Sequence, residues 1–158
     1  MRSTPAIAPV PRLTPGGYAL IAERLRDITE HRLPQMRPLL VDRERDERDV
    51  AEFERLLAEV DSLTALLAEA KTIVDDPMGF EGRVGIGMRV HVTLADGSNA
   101  WVRLVHPAEA FLDEERISMT SPLGLALMGA RASHVVWVGA PAGVWACTVL
   151  AIDPSVND

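Results

Sequence analysis

The stretch LLVDRERDERDVAEF, residues 39–53, decides the fold. Apolar residues on either side enclose eight consecutive charged positions, DRERDERD at 42–49, with five carboxylates and three guanidiniums. A continuous amphipathic helix would carry its apolar seam through such a stretch; here the seam stops and restarts. Upstream, Tyr18, Ile21, Leu25 and Ile28 recur at spacings of three and four, slip near Arg32, and resume with Leu33, Met36, Leu39 and Leu40. Downstream, Val50, Phe53, Leu57, Val60, Leu63, Leu67 and Ala70 follow the same rule and end at Ile73-Val74. Such a spacing is the stripe of a packed helix. Two stripes around a short polar turn predict an antiparallel hairpin, each arm about 40 Å long at 1.5 Å per residue. The alternative is one unbroken helix in a parallel dimer, because 42–49 contains no glycine or proline. The interrupted seam favours the hairpin, which also buries both stripes without depending on concentration. Thr14-Pro15 marks the start, a capping hydroxyl followed by proline at the first helical position. Pro34 and Pro38 predict a kink or break in the first arm.

Residues 75–82, DDPMGFEG, read as a linker, and beyond it the period changes to two. Arg89–Leu94 and Ala100–Val105 alternate polar and apolar around the turn Ala95-Asp96-Gly97-Ser98. Arg116–Thr120 reads as a third strand. Ser121-Pro122-Leu123-Gly124 opens a short helix that ends at Gly129, again with a capping hydroxyl, proline at the first position and a terminal glycine. His134–Val138 and Val144–Ile152 form a last hairpin across Ala140-Pro141-Ala142-Gly143. The expected class is α+β, with residues 1–12 a loose arm, 13–76 a coiled-coil hairpin, and 77–158 an antiparallel sheet on one short helix.

Composition narrows the function. Of 158 residues, 47% are apolar, enough for a core, and 4% are aromatic. Residues 1–76 carry a net charge of −4 and the remainder −3, so no basic face offers itself to nucleic-acid phosphates. No apolar run approaches the ~18 residues of a membrane span, and the proline-containing start does not read as a signal peptide. A single cysteine, Cys147, excludes an internal disulfide and fits a reducing cytoplasm. His31, His91, His106 and His134 are scattered without zinc-ligand spacing. Gly85-x-Gly87 lacks the third glycine of a dinucleotide fingerprint, since Val90 stands in its place. Trp101, Trp137 and Trp145 are expected to face the core, an exposed one being a potential anchor for a partner.

The run Ile117–Gly129, containing S-P-L-G-L-A-L-M-G, and the following hairpin turn Ala140–Val144 resemble the C-terminal domain of the GreA/GreB family of transcription elongation factors. Leu13-Thr14-Pro15-x-Gly17 resembles that family's opening L-T-x-x-G, and Pro34 matches the proline interrupting its first helix. The stretch Leu104-Val105-His106-Pro107-Ala108 also looks like the shorter Rnk-type relatives. The resemblance implies an FKBP-like C-terminal domain, RNA polymerase core as partner, and a monomer that is not itself an enzyme. It implies that the hairpin enters the polymerase secondary channel and regulates elongation, by modulating transcript cleavage or by inhibiting the active centre. Tip acids Asp42, Glu44, Asp46, Glu47 and Asp49 would then lie near the polymerase's magnesium, the free protein holding no metal or other cofactor. Ser121, Pro122, Leu123 and Gly124 would contact polymerase.

The departures are specific. The family's tip string D-L-x-E-N-A-E-Y is missing, and the hairpin is about eight residues shorter than the pattern, about 6 Å less reach over two arms. Arg43, Arg45 and Arg48 alternate with the tip acids, so a solvated helix turn laced with ion pairs is the competing reading. A peptidyl-prolyl isomerase and a coiled-coil adaptor without polymerase contact are the other classes. The first needs an aromatic pocket that seven aromatic residues scarcely supply, and the second predicts a dimer through 14–74.

Overall fold

The computed structural model of the chain describes residues 10–41, 44–75 and 80–156. The first arm comprises α1 (Pro15–Asp27), a π-turn (Ile28–Arg32) and α2 (Leu33–Val41); the second is α3 (Glu47–Glu69). Thr14 caps α1 as its spacing predicts, its hydroxyl accepting the Gly17 N–H at 3.0 Å, with Pro15 at the first position. The prolines do not break the arm. Instead the Leu33 N–H reaches back five residues to the Ile28 carbonyl, one residue wider than an α-turn. This extra residue is the slip in the sequence seam: it returns Ile28 and Leu33, five apart, to one buried face. Pro38 sits inside α2 without ending it.

The arms run antiparallel, since Arg24 grips Glu59 at 2.9 and 3.2 Å while Arg32 meets Glu52 at 3.2 Å. Ile28, Leu33 and Leu56 form the hairpin core, with Phe53, Val60 and Leu63 packed against it. Leu57, expected in this seam, is 42% exposed. The working stripe steps through 53, 56, 60 and 63, and at 100° per residue Leu57 is turned off it. Leu39 is also exposed, because the described part of the tip offers it no buried apolar partner on α3.

At the hairpin base, β1 (Arg12–Leu13) pairs in parallel with β2 (Lys71–Thr72), so part of the expected loose arm is a strand. The rest of that arm, residues 1–9, lies outside the described residues. The second region is a five-stranded sheet of β3 (Arg89–Thr93), β4 (Asn99–Val105), β5 (Arg116–Ser118), β6 (Val135–Ala140) and β7 (Gly143–Asp153). The spatial order is β5-β4-β3-β7-β6. It is mixed rather than antiparallel: β5 runs parallel to β4, because residues 106–115, including a 3-10 turn at Pro107–Glu109, carry the chain back before it re-enters. Helix α4 (Pro122–Leu127) packs on one face, and the core gathers Val90, Val92, Leu104, Leu127, Val138 and Val149. Cys147 is buried in this core, where burial pushes its thiol up from the ordinary value. Of the tryptophans only Trp145 packs on the core. Trp101 stacks on His91 with centroids 4.8 Å apart and lies under the Arg89 guanidinium, while Trp137 is 69% exposed. The chain is thus α+β, a helical hairpin joined to a mixed sheet with one packed helix.

Candidate functional site

The sequence expectations fall on two features, the hairpin tip and the α4 segment; the structure adds a third, the joint between hairpin and sheet. At the tip, α3 begins inside the charged stretch, so two of the expected turn acids belong to the helix and a third caps it. Asp46 is its N-cap, its carboxylate accepting the Arg48 N–H at 2.9 Å. Glu47 and Asp49 occupy the first turn, where the partial positive charge of unpaired N–H groups stabilises carboxylates. Glu44 is exposed in the turn before them, and Asp42 lies outside the described residues. Among the described residues no three acids, histidines or cysteines converge to hold a metal ion. In the described part of the tip these acids supply helix initiation and exposed negative charge.

Below the tip the facing helix surfaces are laced with ion pairs. Arg55 chelates Glu52 at 2.9 and 2.7 Å, and this bond, with the charges of Arg55 and Arg32, holds the Glu52 carboxyl below its usual range. Glu59 raises the Arg24 guanidinium, chiefly through its hydrogen bond. The two pairs that cross between the arms, Arg24–Glu59 and Arg32–Glu52, are solvent-screened, so they set register more than stability.

The α4 segment divides by role. Ser121 is the cap: its hydroxyl accepts the Gly124 N–H at 3.1 Å and donates to the Ser118 carbonyl at 2.6 Å. Gly124 is there for space, since a Cβ on it would stand 2.1 Å from the Ser118 carbonyl oxygen. Leu123 packs on the core, leaving only Pro122 of the four expected contact residues exposed. The surface that is free to touch a partner lies beside them. A groove of about 560 Å³, lined mainly by apolar atoms, runs between Val10 and Pro11 on one side and Ile86, Pro107, Met119 and Met128 on the other. Reading for motifs missed these residues, because they come from five separate segments.

Glu109 is the residue sequence reading overlooked. It is fully buried, and its carboxylate accepts both the Thr14 N–H at 2.9 Å and the Thr14 hydroxyl at 2.5 Å, with Arg116 3.6 Å away. The same threonine that caps α1 thus ties the hairpin to the sheet across 95 residues of sequence. Gly17 makes the approach possible: a Cβ on it would fall 1.8 Å from Glu109 Oε1. The L-T-x-x-G signal noted in the sequence has this packing reason. Arg116 also binds Asp113, whose carboxyl burial alone would raise. The Arg116 N–H, charge and guanidinium and the Glu115 N–H outweigh that effect and hold it below the ordinary value.

Comparison with known proteins identifies the family. Residues 80–154 match the family described as "Transcription elongation factor, GreA/GreB, C-term". Transcription elongation factor GreB of Pseudomonas aeruginosa is 31% identical over 147 residues, 88% of this chain and 88% of its own length. GreA of Chloroflexus aurantiacus is 38% identical over 91 residues, and in that match the chain spans 57% of the relative's length. Among solved structures, Thermus aquaticus Gfh1 is 31% identical, with 92% of this chain and 99% of that one covered at a TM-score of 0.40. With one relative at this identity aligned along most of both lengths, the chain belongs to the GreA/GreB family.

Proposed function

We propose that this protein regulates transcription elongation by docking on RNA polymerase core through the groove beside α4 and inserting the hairpin tip into the secondary channel. The observation that carries the reading is the buried contact between the two parts, Glu109 with Thr14 and Gly17, through which a docked sheet would aim the hairpin. The sheet with α4 on its face fits the FKBP-like arrangement that the family resemblance implies, and a cytoplasmic protein fits the partner. The chain supplies position and charge and no chemistry of its own. Asp46 is spent on capping α3, and Arg45 and Arg48 stand beside the remaining acids. With the family's tip string missing and the hairpin short, the reading leans to obstruction of the active centre over efficient stimulation of transcript cleavage.

The test pairs retention on core polymerase with transcript elongation and cleavage on a stalled complex. Replacing Asp46 would confound cap and charge, so Glu44→Gln with Glu47→Gln is the informative tip variant. It should bind as the natural protein does while its effect on elongation changes. Met128→Glu, placing charge in the groove, should weaken binding at unchanged thermal stability. No binding by the natural protein would sink the proposal, and robust cleavage stimulation at low stoichiometry would reverse its lean.

A further inference from the structure

Strand β6 is an outermost strand of the sheet, with β7 on one side and, among the described residues, no strand on the other. Its sequence, VVWVGA at 135–140, has no charge and no proline, and the sheet irregularity lies elsewhere, between His91 and Val92. Sheet edges are ordinarily protected by lysine, proline, bulges or a covering element. The hairpin closes at Ala140 opposite Gly143, and the Val149 N–H donates to the His134 carbonyl. By alternation Ala140, Val138 and Val136 bond inward to β7, so the N–H and C=O groups of Val135, Trp137 and Gly139 point away from it. Among the described residues no backbone hydrogen bond to those outward groups is formed. Their side chains share the face away from the core: Trp137 and Val135 are exposed, Val144 opposite Gly139 is 70% exposed, and the space above Gly139 is open. An isolated tryptophan, two valines and an unfilled notch beside an open ladder make one apolar, hydrogen-bonding edge.

We propose that this edge pairs with the β6 edge of a second copy of this chain, antiparallel about a two-fold axis at Trp137. The strand is complementary to itself in this register and needs no charged partner to select it. Trp137 faces its own copy, and Val135 faces Gly139, so all three outward residues on each strand find partners and the Val135 side chain lies over the open notch. The remaining opposed residues are Val136 with Val138, both apolar, and Ala140 with His134, so no like charges meet along the strand. A six-residue edge is smaller than a permanent interface, so the dimer is weak and concentration-dependent. It is distinct from the coiled-coil dimer considered above, because the hairpin already buries its own seam.

Sedimentation of the full chain from roughly 5 to 500 μM is the test, with mass action making the dimer fraction rise. The amides of Val135, Trp137 and Gly139 should gain hydrogen-exchange protection in step. Trp137→Lys and Val135→Lys, both at exposed positions, should each weaken association by about tenfold or more, while melting at dilute concentration stays unchanged. A protein that sediments as a monomer throughout, or a dimer indifferent to both lysines, would overturn the proposal. So would protection of these amides that appears on adding core polymerase and not with the protein's own concentration, which would assign the edge to that partner.

Discussion

Replacing Glu109 with alanine should loosen the joint between hairpin and sheet and, unusually, reverse the sign of a second substitution. Glu109 accepts two hydrogen bonds from Thr14 and faces the buried Arg116. Bonds to a charged acceptor contribute about 1.5–3 kcal/mol each. Removing one partner of a buried charge cluster costs about 3–5 kcal/mol in total, tempered here because Arg116 keeps Asp113. At about 2–4 °C per kcal/mol for a chain of this size, Glu109→Ala should lower the melting temperature by about 10 °C. Gly17→Ala gives the sharper reading. In the natural protein the new Cβ would meet Oε1, Cδ and Cγ of Glu109 at 1.8, 2.2 and 2.7 Å, so the substitution must displace that side chain and destabilise. All three clashing atoms vanish in Glu109→Ala. In that background Gly17→Ala should gain the ordinary helical advantage of alanine over glycine, up to about 1 kcal/mol. Urea unfolding of the four proteins of this cycle measures the coupling directly. An equal loss from Gly17→Ala in both backgrounds would refute the assigned contact, and a Glu109→Ala protein within 1 kcal/mol of the natural one would refute its weight.

Two further outcomes follow from the packing. Leu56→Ala, at a fully buried position, should cost about 2–5 kcal/mol, whereas Leu57→Ala one residue on should cost less than about 1, measured by the same urea titration. The Asp113 carboxyl is held below its unfolded value near 3.9, so its contribution is complete above about pH 4 and is lost as pH falls through the lower folded value. Asp113→Asn should therefore be less stable at pH 7 and flatten the acid limb of a stability–pH curve; an unchanged limb would remove this pair from the account.

What was legible in the sequence is what neighbouring residues decide among themselves. Thr14-Pro15 and Ser121-Pro122 announce helix starts because a cap bonds an N–H only three residues away, and both caps form as read. The hairpin follows from two seams separated by eight charges, and the five-residue step from Ile28 to Leu33 already contained the π-turn, although the prolines suggested a break. The tip acids carry a local signal of a second kind: Asp46, with Glu47 and Asp49 behind it, is a helix start as much as a turn. Tertiary structure decided the rest. Leu56 and Leu57 are equally apolar and adjacent, and only the opposing arm selects which is buried. The parallel entry of β5 depends on where residues 106–115 return, a matter of chain path that alternation cannot encode. Trp137 is as hydrophobic as Trp145, yet its strand is an edge and its face is open. Glu109, in the loop sequence HPAEAFLDEER, looks like a solvated acid. It is buried because folding brings a helix N-terminus from 95 residues away to satisfy it, and a carboxylate's cost of leaving water can be met only by partners that sequence separation conceals.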